Sequence, residues 1–129
     1  MNHTIVHFDI PADDLDRATK FYRDVFGWEI ARMPGPMEYM GVRTTATGED
    51  GMPKGPGVNG GMMKRMHPDQ KPTNYIGVED VQAHADRIVA AGGEIILPKV
   101  PVPGFGWLAQ FKDPEGNILA LWQSDRSAA

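Results

Sequence analysis

A chain of 129 residues with 41% hydrophobic and 23% charged residues has the make-up of one ordinary soluble domain, not of a disordered or fibrous segment. Its formal net charge of −4, with lysines and arginines scattered along the chain, offers no basic stripe for a run of phosphates, so no nucleic-acid partner is expected. The absence of cysteine removes disulfides, thiolate metal sites and thiol nucleophiles, and no apolar run reaches membrane-spanning length, so a cytoplasmic protein without a membrane partner is expected.

Thr4 to Ile10 alternates, with Val6, Phe8 and Ile10 on one face and Ile5, His7 and Asp9 on the other. The apolar set should meet a helix, which leaves His7 and Asp9 on the opposite side. Asp13 or Asp14 then caps a helix running to about Phe26. Leu15, Ala18, Tyr22 and Val25, flanked by Phe21 and Phe26, recur at three- and four-residue steps, and Gly27 supplies the stop. Strands are predicted from Trp28 to Met33 and from Met37 to Thr44, joined by a turn at Pro34-Gly35-Pro36. Thr45 to Asn59 is too rich in Gly and Pro for regular structure and reads either as a functional loop or as a hairpin tip without a role. Gly60 to Met66 resumes an apolar strand. Met33, Met37, Met40, Met52, Met62, Met63 and Met66 crowd this half, mostly as core filling and otherwise as an adaptable ligand surface.

The second half repeats the first. At an offset of 66 residues Ile10, Asp14, Leu15, Tyr22 and Gly27 fall on Ile76, Asp80, Val81, Ile88 and Gly93, the sign of a duplicated unit. A strand from Thr73 to Val78 leads through the Asp80 cap into a helix from Val81 to Ala91, and Gly92-Gly93 ends it. Strands follow from Glu94 to about Lys99, from Trp107 to Lys112 and from Ile118 to Gln123, the last two turning at Asp113-Pro114-Glu115-Gly116-Asn117. The tail from Ser124 to Ala129 is expected to fray. The prediction is an α+β fold in one domain, residues 1–129: two β-α-β-β-β modules, about 1–66 and 73–123, forming curved, cup-shaped mixed sheets with the helices on the outer face.

His7-Phe8-Asp9-Ile10, the run from Phe21 to Trp28 and the run from Phe111 to Asn117, in this order within a duplicated unit, resemble the vicinal oxygen chelate superfamily, which includes glyoxalases, bleomycin resistance proteins and dioxygenases. The resemblance spans almost the whole chain and implies a concave pocket in each sheet and a homodimer. It also implies a divalent metal at the pocket floor, held by His, Gln or Glu from the first and last strands of each module, for Lewis-acid work on two neighbouring substrate oxygens. Carried over position by position, that ligand set becomes His7, Thr73, Ala120 and a residue of the strand from Gly60 to Arg65, which contains no acid, amide or imidazole. Asp9 and Glu38 are the only substitutes that suggest themselves. No metal and no other cofactor is therefore expected.

The inward positions that remain are His7, Asp9, Thr73, Tyr75, Ala120 and Trp122, with Trp107, Ala109 and Phe111 on one face of the adjoining strand. These predict a largely aromatic pocket for a flat or amphipathic small molecule. His7 beside Asp9 is the candidate general base with its orienting carboxylate, set against a plain structural role for both. The reading is a metal-free small-molecule binder of the glyoxalase and bleomycin resistance type. The alternatives are a metal-dependent lyase, isomerase or dioxygenase acting on vicinal oxygens, and an accessory domain whose uncovered sheet is an interface.

Overall fold

The computed structural model describes residues 3–35, 37–49 and 53–129. The chain divides into two compact units, one of His7–Pro72 and one of Met1–Val6 with Thr73–Ala129. No helix among the described residues is long and apolar enough to cross a membrane.

The His7–Pro72 unit contains most of β1 (Ile5–Ala12), then α1 (Leu15–Phe26), β2 (Glu29–Arg32), β3 (Tyr39–Arg43) and β4 (Gly60–Lys64). Its strands lie in the order β2-β3-β4-β1, with β2, β3 and β4 antiparallel and β4 parallel to β1. Asp14 caps α1 by accepting from the Arg17 N–H at 3.0 Å, and Gly27 ends it at φ 72°, the left-handed value that glycine adopts cheaply. The core sets Leu15 of α1 against Ala12, Ile30, Val42 and Met62, with Phe8, Ile10, Ala18, Tyr22 and Met40 packed around them. As the alternation predicts, Phe8 and Ile10 meet the helix, so His7 and Asp9 take the other face.

The predicted apolar stripe stops short of the end of α1. Phe21, Val25 and Phe26 are exposed, while Thr19 is buried. The last turn is held by ring contacts instead: Tyr22 stacks on Trp28 at 5.0 Å and Phe26 lies 5.6 Å from the same indole. The turn from Pro34 ends at Pro36, which lies outside the described residues, as does Met52. Of the other methionines, Met40 and Met62 join the core, whereas Met37 and Met66 are exposed. The segment from Thr45 to Asn59 is pinned at its base. The Asn59 carboxamide oxygen accepts from the Thr44 and Thr45 N–H groups at 2.8 and 3.0 Å, and its Nδ2 donates to Thr47 at 3.1 Å.

The second unit contains β5 (Thr73–Gly77), α2 (Val81–Ala90), β6 (Glu94–Val102), β7 (Gly106–Lys112) and β8 (Ile118–Ser124), with the strands in the order β5-β8-β7-β6. Thr4 belongs here because its carbonyl accepts from the Gly77 N–H at 2.9 Å. Asp80 caps α2, and Gln123 Oε1 accepts from the Val81 N–H at 2.9 Å. The core is Val78, Val81, Ala109, Phe111 and Leu121. Two features depart from expectation. First, β6 continues through Pro98 and Pro101 to Val102 with two register shifts. It is an edge strand of this unit, where a missing N–H costs no ladder bond. Second, the tail is tied down: Ala128 is buried and its carbonyl accepts from the Gly104 N–H at 2.9 Å.

Candidate functional site

In the His7–Pro72 unit the face away from α1 carries His7, Asp9, Tyr39, Gly41, Gly61 and Met63, by alternation from the core residues Phe8, Ile10, Met40, Val42 and Met62. Two strands, β1 and β3, bring a polar cluster together there across β4. The Tyr39 hydroxyl donates to Asp9 Oδ1 at 2.7 Å. His7 Nε2 lies 3.0 Å from the same carboxylate oxygen and 3.0 Å from the phenol oxygen. With a proton on it Nε2 donates to Asp9, and without one it accepts from the Tyr39 hydroxyl. The His7 and Asp9 side chains are 33% and 13% exposed, so the pair keeps access to solvent while being largely desolvated.

Glycine makes the cluster possible. A Cβ at Gly61 would stand 1.6 Å from the Tyr39 hydroxyl and 2.0 Å from Cζ, so the phenol occupies the volume that a side chain at 61 would need. At Gly41, the pairing partner of Gly61, the Met33 side chain takes the corresponding place, its Sδ 3.0 Å from an added Cβ. Sequence reasoning missed Tyr39. The adjacent pair Gly60-Gly61 was the available signal, since a glycine inside a strand marks close approach by another group.

In the second unit Tyr75 pairs with Ala120 and Gly77 with Trp122. Ile76, Val78, Leu119 and Leu121 pack with α2, so Thr73, Tyr75, Ala120 and Trp122 share the opposite face. Tyr75 and Ala120 are buried there. The Trp122 ring fills the side-chain place of Gly106, with Cζ2 2.6 Å from an added Cβ. Trp107, expected to line the pocket, goes to the other face together with Ala109 and Phe111 and packs into the α2 core. Its indole N–H donates to Asp125 Oδ2 at 2.9 Å and Lys99 Nζ stands 4.5 Å above the ring. Hydrogen bonds from Ser127, then from Trp107, hold the Asp125 carboxyl below its ordinary value.

The family model described as bleomycin resistance protein-like N-terminal matches residues 4–45. Lactoylglutathione lyase of Haemophilus influenzae is 32% identical over 87% of this chain and 86% of its own length. This chain belongs to the vicinal oxygen chelate superfamily. A second superfamily relative, the putative glyoxylase CFP32 of Mycobacterium tuberculosis, is 33% identical over 92% of this chain, and this chain spans only 44% of its length. Methylmalonyl-CoA epimerase of Mycobacterium tuberculosis has the same fold, with a TM-score of 0.69 at 14% identity over 94% of this chain and 87% of that one.

The superfamily's metal can now be tested against the residues present. His7 Nε2 is engaged with Asp9 and Tyr39. On β4 the residue on the His7 side is Gly61, and its side-chain place is filled by a phenol oxygen. Ala120 has no donor atom, Thr73 offers a hydroxyl, and Glu38 is turned to Arg32 at 3.9 Å. Among the described residues no three His, Asp or Glu groups converge. The donor set does not fit a resident divalent ion, which wants three or four imidazole or carboxylate ligands.

Proposed function

We propose that this member of the vicinal oxygen chelate superfamily binds a small, partly apolar organic molecule on the helix-free face of its His7–Pro72 sheet, without a resident metal. The observation that carries this reading is the Tyr39 hydroxyl standing where a ligand side chain from β4 would stand, bonded to Asp9 and beside His7. Met33, packed at Gly41, and Met63 on the same face add apolar, polarizable side chains, which suit a flat molecule. Thr73, Tyr75, Ala120 and Trp122 give the second unit a comparable face for the same class of ligand.

A second reading, a metal-dependent lyase, is favoured by one observation, the 32% identity to a protein named lactoylglutathione lyase. Thermal-shift screening of aromatic and dicarbonyl compounds with and without divalent ions separates the two. Stabilisation by an organic compound alone supports the first. Stoichiometric zinc, nickel or manganese retained after dialysis, with stabilisation only in its presence, replaces it by the second.

A further inference from the structure

We propose that Asn59 is a modification site: the Asn59-Gly60 peptide deamidates spontaneously, with water as co-reactant, at a rate set by the hydrogen bonds at the base of the loop from Thr45 to Asn59. The proposal stands apart from the binding role above. Of the asparagines at positions 2, 59, 74 and 117, only Asn59 precedes a glycine. A glycine has no side chain to obstruct attack by its own amide nitrogen on the carboxamide before it.

Packing requires both members of this reactive pair. A Cβ at Gly60 would stand 2.3 Å from the Phe8 carbonyl oxygen and 2.6 Å from its ring, so β1 leaves no room for any other residue there. Asn59 is required for its bonds. Its Oδ1 accepts from the Thr44 and Thr45 N–H groups at 2.8 and 3.0 Å, and its Nδ2 donates to the Thr47 hydroxyl at 3.1 Å. These three bonds also restrain the reaction. Attack swings the Asn59 carboxamide onto the Gly60 nitrogen, which breaks them, so the folded chain reacts only when the loop base opens.

In the reaction base removes the Gly60 amide proton, the nitrogen bonds to Asn59 Cγ, and the Cγ–Nδ2 bond breaks with release of ammonia. Water then opens the cyclic imide at one of its two carbonyls. Opening at Cγ leaves aspartate, and opening at the main-chain carbonyl leaves isoaspartate, whose backbone runs through Cβ and Cγ. One water is consumed and one ammonia released, with no change of oxidation state. The two products differ in consequence. An aspartate carboxylate still accepts from Thr44 and Thr45, and the Thr47 hydroxyl can turn to donate to it. Isoaspartate lengthens the backbone immediately before β4, where Gly60 pairs with Val42 and Gly61 with Gly41, and so disturbs the strand on which Tyr39 is seated.

The test is mass spectrometry of the tryptic peptide 55–64, which contains Asn59 as its sole asparagine, after timed incubation of the full chain at mildly alkaline pH, folded and in guanidinium chloride. In the unfolded chain Asn59 is expected to exchange its NH2 for OH well ahead of Asn74 and Asn117. In the folded chain it should react about a hundredfold more slowly, the effect of three modest hydrogen bonds. Thr47→Val, which removes one of them, should raise the folded rate about fivefold and leave the unfolded rate unchanged. Asn59→Asp should melt close to wild type, whereas the isoaspartate fraction of aged protein, separated by chromatography, should melt lower.

Equal rates in the folded and unfolded chain overturn the proposal, as does a folded Thr47→Val that reacts no faster than wild type. So does an Asn59 that converts no sooner than Asn74 and Asn117 once the chain is unfolded.

Discussion

At the scale of single residues, Gly61 and Tyr39 compete for one volume, and the glycine is what lets the phenol reach Asp9. Half of that cluster was legible in the sequence. Strand alternation places His7 and Asp9 on one face, but Tyr39 joins them only through the β3–β4 register that sets Gly41 opposite Gly61, and register is not written in either strand alone. Trp107 shows the complementary failure: alternation groups it with Ala109 and Phe111, and only the packed core tells which face that group takes. Asp113 gives a test outside the site. Its carboxylate accepts from the backbone N–H groups of Asn117 and Glu115, each at 2.9 Å, and the Asn117 bond foremost holds its pKa below the ordinary 3.8. A folded pKa below the unfolded one stabilises above the unfolded value and is lost as pH falls through the folded one. Asp113→Ala should therefore melt lower than wild type at neutral pH. The gap should narrow below about pH 4, as followed by circular dichroism at a series of pH values.

At the scale of elements, both helices begin and end where their caps dictate. Asp14 and Asp80 each accept from the N–H three residues on at 3.0 Å, and replacing Asp14 by Ala should cost about 1 kcal/mol in denaturant unfolding. Gly27 has nothing within 4 Å of an added Cβ. Gly27→Ala should therefore cost about 1–2 kcal/mol through backbone strain alone, measured the same way. The exposed end of α1 was not legible, because an apolar stripe reports a preference for burial and not the length of sheet available beneath it. Phe21 and Phe26 lie beyond that sheet's cover and are gathered by Tyr22 and Trp28. The tail was misread for a similar reason. Ser124 to Ala129 has loop composition, yet Asp125 takes the Trp107 indole N–H and its own N–H donates to Phe105 at 2.8 Å. Deleting residues 125–129 should lower the melting temperature, at a cost of roughly 1 kcal/mol or more for the bonds lost.

At the scale of the whole chain, the duplicated pattern was the most legible feature, since caps and glycine stops recur at a fixed offset and each copy builds a helix on a four-strand order of the same kind. The larger half of the stability should reside in the two apolar cores. Met62 is fully buried in the first, and Met62→Ala should destabilise by about 2–5 kcal/mol, read from urea unfolding. In both units the opening strand lies parallel to the closing one, β1 beside β4 and β5 beside β8. Neither half can therefore lock until its final segment has left the ribosome: on a nascent chain released only as far as Arg43, β1 still waits for its neighbour. Pulsed protease digestion of stalled chains should accordingly show protection arriving in two abrupt steps, once β4 and again once β8 has emerged, with little gained in between.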